Sequence, residues 1–403
     1  MDYIYLDHAA ATPLWPEVKE QAHNLLQVFG NPGSKHRVGI EAKKIWTETL
    51  QNLARLLGCQ LNQLIITSGA TESINQAFFG SSLSAEDELI ISSVEHSATH
   101  QAALAIAKQK NLKVIIAPVN SVGQINQDHF LKLLTPKTKL ISLIAASNEY
   151  GTVLKLNKLI KYVREFEQKN QTEITIHADA SQLLPWHKIS LGSLDVDLMS
   201  FSGAKLGAGH QVGGLFVREP SNFNQLIYGG GQQNNLRSGT ENVLGAVNLT
   251  TALKLAWENQ ADINQFRLLL EDQLLSSNLE LTINGDPDRK LPNIISLTTP
   301  VDATRLIYAL DNIGVGVSAG AACSASSQDT RVIEALGLSK KEAEQTIRIS
   351  LGHNTTKDEI ELAAPQIIKQ INELLKTELE LAKIKEIGKK LNQEYSKEDN
   401  GGN

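Results

Sequence analysis

The chain has 403 residues, 41% of them hydrophobic and 20% charged, and its 38 basic against 44 acidic side chains leave a formal net charge of −6. That length allows two domains with separate cores. The mild acidity excludes a general electrostatic partner such as nucleic acid or an anionic membrane surface, which leaves small-molecule chemistry as the first expectation.

The first residues, MDYIYLDHAAATP, carry no basic region followed by an apolar run, and nowhere do about 18 uncharged apolar residues follow one another. The reading is a cytoplasmic protein without a membrane partner. Two cysteines, Cys59 and Cys323, are too few for a disulfide framework, so both thiols are expected to be reduced. Cys59, in LLGCQL at a helix end, reads as structural.

From Leu64 onward, short β-branched runs alternate with longer polar–apolar segments: LIITS, ELIIS, KVIIA, KLISLIAA, EITIHAD and VDLMSFS are spaced by helix-like stretches. The alternation predicts an α/β class with a mostly parallel sheet wrapped by helices. Such sheets bind ligands where loops leave the carboxyl ends of the strands. After a long helical stretch that begins near Thr240, the texture turns α+β, with LTING, NIISLTT, GVGVSA and TIRISLG as strands of a second, smaller domain. From Lys385 the chain is polar and poor in apolar residues, and 385–403 reads as a flexible tail.

The strand ends carry chemistry. After LIITS comes Gly69-Ala70-Thr71-Glu72-Ser73, a glycine turn and a helix start whose free N–H groups and dipole suit a phosphate. Thr71 and Glu72 would serve equally as a plain helix cap. TIHADASQ brings Asp179 and Gln182 to one strand end, and LMSFSGAK brings Ser200, Ser202 and Lys205 to another. In one reading Asp179 and Lys205 are an ion pair. In the other they are the pyridinium partner and the Schiff-base lysine of pyridoxal 5'-phosphate, which needs one anion at its ring nitrogen and one amine at its aldehyde. The stretch VSAGAACSASSQ around Cys323 has little to pack, so its thiol is either an inert loop cysteine or a group that has to move.

Taken together, SGATES, EHSA, NEYG, HADASQ, SFSGAK, GGGQ, RSGTEN, GAACSAS and IRISLG, in this order across nearly the whole chain, resemble the cysteine desulfurases of the NifS/IscS type. The resemblance implies the aspartate-aminotransferase-like fold (pyridoxal phosphate fold type I), with a mostly parallel seven-stranded sheet in a large domain at 15–258. A small α+β domain at 259–384 would carry the Cys323 loop, and residues 1–14 would pack with it. A homodimer with the site at the subunit interface is also implied. Lys205 would hold the cofactor, Asp179 pair with its ring nitrogen, and Gln182 bond the ring hydroxyl. His96 would stack on the ring and relay protons, although a lone histidine is otherwise a packed or surface residue. Ala70, Thr71, Ser202 and, from the partner subunit, Thr240 would hold the phosphate; Thr240 by itself could be a simple N-cap. Asn148 and Arg348 would take the substrate carboxylate, the guanidinium forking onto both oxygens, though Arg348 could also be a strand residue with its charge in solvent.

On this reading L-cysteine is the substrate and Cys323 takes its sulfur as a persulfide, leaving alanine, for transfer to an acceptor such as an IscU-like scaffold or a tRNA-thiolation relay protein. The alternatives are another pyridoxal phosphate lyase or aminotransferase of the same fold, and a non-catalytic paralogue acting as an interaction protein. No metal is implied. The sequence also departs from the pattern. Ala204 stands where the family has a histidine before the lysine, Ala208-Gly209-His210-Gln211 replaces Gly-Pro-Lys-Gly, and Gln233-Asn234-Asn235 replaces Glu-Arg-Gly. Cofactor affinity is the property these changes put in question, and His210, in the same loop, is a candidate to replace the lost histidine.

Overall fold

The computed structural model describes residues 3–259, 262–319 and 330–398; Cys323 lies outside them. The strands in chain order are β1 Ile4–Tyr5, β2 Leu64–Thr67, β3 Glu88–Ser92, β4 Lys113–Ala117, β5 Thr138–Ile144, β6 Thr175–Asp179, β7 Leu198–Ser202, β8 Gly213–Val217, β9 Thr282–Asn284, β10 Ile294–Thr298, β11 Val315–Gly316, β12 Ser318–Ala319 and β13 Thr346–Ser350. Seven of them form one sheet in the order β2-β8-β7-β6-β5-β3-β4. The pairs between β4 and β7 are parallel, and β8 runs antiparallel to both β7 and β2. The expected mostly parallel seven-stranded sheet is therefore present, and the six β-branched runs read from the sequence are β2 to β7.

Helices on both faces explain why the central strands are buried along their whole length: β3 and β7 have no exposed residue, whereas the edge strand β4 exposes Lys113 and Ile116. A strand covered on both sides reads as a continuous apolar run, as ELIIS does. The other edge, β2, is covered differently. The side-chain amide of Gln233 accepts from Ile66 N at 2.7 Å and donates to Ile66 O at 2.8 Å, so it stands in for a neighbouring strand. Strand β8, GGLFV, has no counterpart in the sequence reading. Its two glycines hide its strand character, yet they are required by packing: a Cβ on Gly213 would meet Gly69 Cα at 2.6 Å, and one on Gly214 would meet the Phe201 ring at 2.2 Å.

A second, antiparallel sheet has the order β12-β13-β10-β9. Its core of Ile295, Leu297, Ile347 and Ile349 packs with Leu270 and Leu274 of the helix Ile263–Leu275, Leu306 and Leu310 of the helix Ala303–Asp311, and Ile360, Ile367 and Ile371 of the last helix. That last helix runs Lys357–Glu398, so the polar stretch from 385, read above as a tail, continues the helix as far as Glu398. The N-terminal strand β1 pairs with β11, and Asp7 bridges to Ser350. From there the chain crosses to the large sheet, where Thr12 N donates to Ala204 O and Trp15 Nε1 to Leu206 O. Among the described residues no helix is long and apolar enough to cross a membrane.

Candidate active site

At the carboxyl edge of the large sheet a cavity of about 450 Å³ is lined by residues that the sequence reading singled out on separate motifs: Ala70, Thr71, His96, Asn148, Asp179, Gln182, Ser202, Lys205 and Arg348. Each arrives for a local reason. Thr67 ends β2, and Gly69, at φ +148°, turns the chain into the helix Ala70–Gly80 without a side-chain cap. The N–H groups of Ala70 and Thr71 consequently have no partner among the described residues, and they face the cavity with the positive end of the helix dipole. Thr71 does not act as a cap, since no side chain caps this helix from its first turn. Glu72 instead accepts from Ser68 N at 2.8 Å and pairs with Arg237 at 2.9 Å, and these partners together hold its carboxyl below the usual range despite burial.

Asp179 ends β6 and is buried. Its Oδ1 accepts from Ser181 N at 3.0 Å and Ser181 Oγ at 2.6 Å, which fixes the carboxylate and leaves Oδ2 for a ligand. Lys205 sits on the short turn Gly203–Lys205 after β7, and its Nζ donates to Ala10 O. Asp179 and Lys205 form no ion pair in the structure, which removes the simpler of the two sequence readings. Gln182 donates from Nε2 to Ala9 O at 2.9 Å, so the N-terminal AAAT stretch forms one wall of the cavity. His96 caps the helix Ser97–Lys110, its Nδ1 accepting from Ala98 N at 3.1 Å.

Arg348 comes from the small sheet, where it is buried in the middle of β13 rather than solvated. Its Nη2 binds Asp7 at 2.8 Å and its Nη1 donates to Asn148 O at 3.1 Å, while Nε is buried without a hydrogen-bond partner among the described residues. A buried guanidinium with unspent donor capacity beside a cavity fits a carboxylate ligand. Thr240 lines a different, adjoining cavity of about 220 Å³ with Ile66, Gln233 and Arg237, and the two cavities share Ser68 and Gln211. Ala204, His210 and Gln211 line the main cavity, so the departures from the family pattern fall within the site itself. Cys59 is half-buried against the large core, and burial pushes its thiol up to about 12.

Two acidic residues escaped the sequence reading. Asp7 sits in the N-terminal segment, far from any strand-end motif. Glu95, beside His96, is fully buried; its Oε1 accepts from Ser92 Oγ and Ile144 N, both at 2.6 Å, and Oε2 has no hydrogen-bond partner among the described residues. Burial, aided by the charge of Asp179, pushes its carboxyl up to about 8. The dipeptide Glu95-His96 at a strand-to-helix turn was the available signal, since it follows directly on a strand buried along its whole length.

The donor set fits pyridoxal phosphate: an uncapped helix start for the phosphate, a fixed buried carboxylate for the ring nitrogen, an amine for the aldehyde and a guanidinium for an amino-acid carboxylate. Comparison with known proteins identifies the family. A cysteine desulfurase IscS of Dictyoglomus turgidum is 33% identical over 387 residues, covering 93% of this chain and 95% of the relative. One of Methanosarcina thermophila is 30% identical over 383 residues, covering 92% and 93%. A solved NifS-like protein superposes with a TM-score of 0.85 at 30% identity, covering 92% of this chain and all of its own, and a NifS-like protein of Rickettsia africae with a TM-score of 0.77 at 28% identity. Residues 4–362 match the aminotransferase class-V family. With its fold, its cavity and these likenesses in agreement, the chain belongs to the class-V aminotransferase family.

Proposed function

We propose that the chain is a pyridoxal-phosphate-dependent cysteine desulfurase that converts L-cysteine to L-alanine and takes the sulfur onto Cys323 for delivery to an acceptor protein. The observation that carries this reading is the convergence of Lys205, Asp179, His96 and Arg348 on one cavity beside the open start of the helix Ala70–Gly80. When bound, the cofactor supplies an electron sink for the substrate's Cα and Cβ. The protein does the rest. Arg348 and Asn148 hold the carboxylate, Asp179 keeps the ring nitrogen protonated, and Gln182 bonds the ring hydroxyl. Lys205 would anchor the cofactor covalently and carry the Cα proton, with His96, lining the same cavity, as the second proton carrier. Ala70, Thr71 and Ser202 bind the phosphate, and Thr240, placed in the adjoining cavity, would serve that of a second copy in a homodimer.

The thiolate of Cys323 attacks the substrate sulfur, so that an S–S bond forms as the Cβ–S bond breaks. The electron pair left on the substrate is protonated and alanine departs. Cysteine and an enzyme thiol thus give alanine and an enzyme persulfide, with no external oxidant. Transfer to an acceptor thiol restores Cys323.

The test is to incubate the purified chain with pyridoxal phosphate, L-cysteine and a reductant, and to measure alanine and sulfide together. Equal release of both supports the reading. Cys323→Ser is expected to keep the yellow colour of the bound cofactor and lose sulfide release, and Lys205→Ala to lose both. Sulfide release by Cys323→Ser at the wild-type rate would overturn the role of that thiol.

A further inference from the structure

The turn between β3 and the helix Ser97–Lys110 carries His96 into the cavity, and its backbone is held from an unexpected direction. Arg331, the first residue of the short helix Arg331–Glu334, donates from Nη1 to Ser93 O at 2.6 Å and from Nη2 to Glu95 O at 2.7 Å. One planar guanidinium therefore clamps two carbonyls of the same turn, a geometry that a lysine cannot reproduce. The neighbours Val332 and Ile333 are buried in the core of the large sheet, although the preceding strand β12 belongs to the small one. At that strand Ser318 is paired with Arg348. The stretch between Ala319 and Thr330, which contains Cys323, is thus flanked by a contact to the carboxylate-binding arginine on one side and by the Arg331 clamp on the other.

The turn also has restraints of its own: Glu95 N donates to Ser92 O at 3.4 Å, Ala98 N to His96 Nδ1 at 3.1 Å and His100 N to His96 O at 3.0 Å. Inside it, Glu95 makes its side-chain bonds only through Oε1, to Ser92 and Ile144, and Ser93 N donates to Ala117 O. Nothing else among the described residues bonds the side chain of Ser93, whose Oγ is buried without a partner.

We propose that Arg331 is a positioning residue: its forked grip on Ser93 O and Glu95 O sets the placement of His96 over the cofactor and ties that placement to the chain segment that follows Cys323. This deepens the cysteine desulfurase reading and rests on it for its kinetic consequence, but the clamp itself is testable without any activity. A histidine acting in proton transfer contributes about 10²–10⁴ in rate when well placed, and a misplacement of about 1 Å costs a large part of that.

The experiment compares wild type, Arg331→Ala and Arg331→Lys as full-length chains loaded with pyridoxal phosphate. Hydrogen–deuterium exchange should rise at amides 93–98 in both variants while β5 and β6 stay protected. The kcat for alanine release should fall about tenfold or more, with KM for cysteine, bound cofactor and Tm close to wild type. Guanidinium ion in the millimolar range should restore part of kcat in Arg331→Ala and nothing in wild type. Unchanged exchange at 93–98 overturns the clamp whatever the activity. A wild-type kcat in Arg331→Lys overturns the role of the fork, and a loss that tracks lost cofactor or lowered Tm shows general destabilisation and overturns the positioning role. A wild-type chain inactive on cysteine that still shows the exchange change would instead defeat the desulfurase reading and leave the clamp standing.

Discussion

The two sheets furnish the cavity in opposite ways. The large sheet places its groups at strand ends, and the clearest of them is secured locally: Asp179 is fixed by Ser181, two residues on, although the turn that carries His96 is gripped from afar by Arg331 and Lys205 reaches Ala10 O. The small sheet gives Arg348 from the middle of a strand, and what orients it is distant in sequence, Asp7 at a separation of 341 residues and Asn148 at 200. Asp179 is set as soon as its strand and turn form. Arg348 is set only when the N-terminal segment, the loop after β5 and the small sheet have all come together, so substrate recognition depends on the whole assembly.

The largest expected effect separates the two contributions. Asp179→Ala should lower kcat on the order of 10³-fold, because a buried, pre-oriented charge aimed at the reacting system is lost, while KM for cysteine changes little. Arg348→Leu should raise KM by about 10²-fold through loss of charge-assisted bonds to the carboxylate. Steady-state kinetics on both variants check this, and a kcat effect confined to Arg348→Leu would dissolve the comparison. Next in size, Asp7→Ala leaves a buried guanidinium without its counter-charge, and denaturant unfolding should show a loss of roughly 3 kcal/mol. A loss near zero would mean that the small sheet holds Arg348 without help from the N-terminal segment.

The interior of the large sheet sharpens the contrast through pH. His177, in the middle of β6, is fully buried, with Nδ1 2.8 Å from Ser142 Oγ and Nε2 2.6 Å from Ser200 Oγ, and its ring meets Phe78 edge-on at 5.9 Å. Burial pushes it down to about 4 from an ordinary 6.5. Between those values the unfolded chain binds a proton that the folded chain does not, so stability is complete above pH 6.5 and falls as the pH drops towards 4. From pH 7 to 5 the expected loss is about 2 kcal/mol from this residue. His8 and His353, also pushed down to about 4 by burial, act in the same sense. Glu95 has the opposite sign: raised from 4.5 to about 8, it favours the folded state at low pH and withdraws that support as the pH rises through this range. Thermal unfolding of His177→Gln should show a shallower acid slope than wild type, and an identical slope would remove His177 from the account.

How much of this could be read from the sequence follows the same division. Strands β2, β3, β5, β6 and β7 announce themselves as apolar, β-branched-rich runs because both their faces are covered, and the residues after them stand out because turns at strand ends need glycine, serine and small polar groups. Asp179, Lys205 and the Gly69 turn were therefore legible. Strand β8 was not, because its glycines answer to Gly69 and Phe201 rather than to strand propensity. Asp7, Glu95 and Arg331 were hidden for a related reason. Their meaning lies in partners that only the folded chain supplies, and a charged residue in a polar loop has no periodicity to betray that it is buried or clamped. The helical backbone through 385–398 was not foreseen because its Lys- and Glu-rich composition, taken as solvating, is also strongly helix-forming.

The smallest expected effect concerns the edge of the large sheet, at the segment where the sequence reading found a departure from the family pattern. Gln233, Asn234 and Asn235 have φ of +50°, +57° and +62°, three consecutive non-glycine residues in the left-handed region, which asparagine tolerates better than most. The Gln233 amide offsets that strain by bonding both Ile66 N and Ile66 O. A carboxylate at 233 could still accept from Ile66 N but would face Ile66 O with no proton to donate. Gln233→Glu, which restores the residue of the family pattern, should therefore destabilise the chain by about 1–2 kcal/mol. Asn235→Gly, which also restores the pattern, should instead stabilise it by about 0.5–1 kcal/mol by relieving a left-handed backbone. Opposite shifts in Tm for two reversions two residues apart would show that the edge of β2 is closed by the amide of Gln233 and that the backbone strain is its consequence. A stabilising Gln233→Glu would show that the edge is held by the surrounding turn alone.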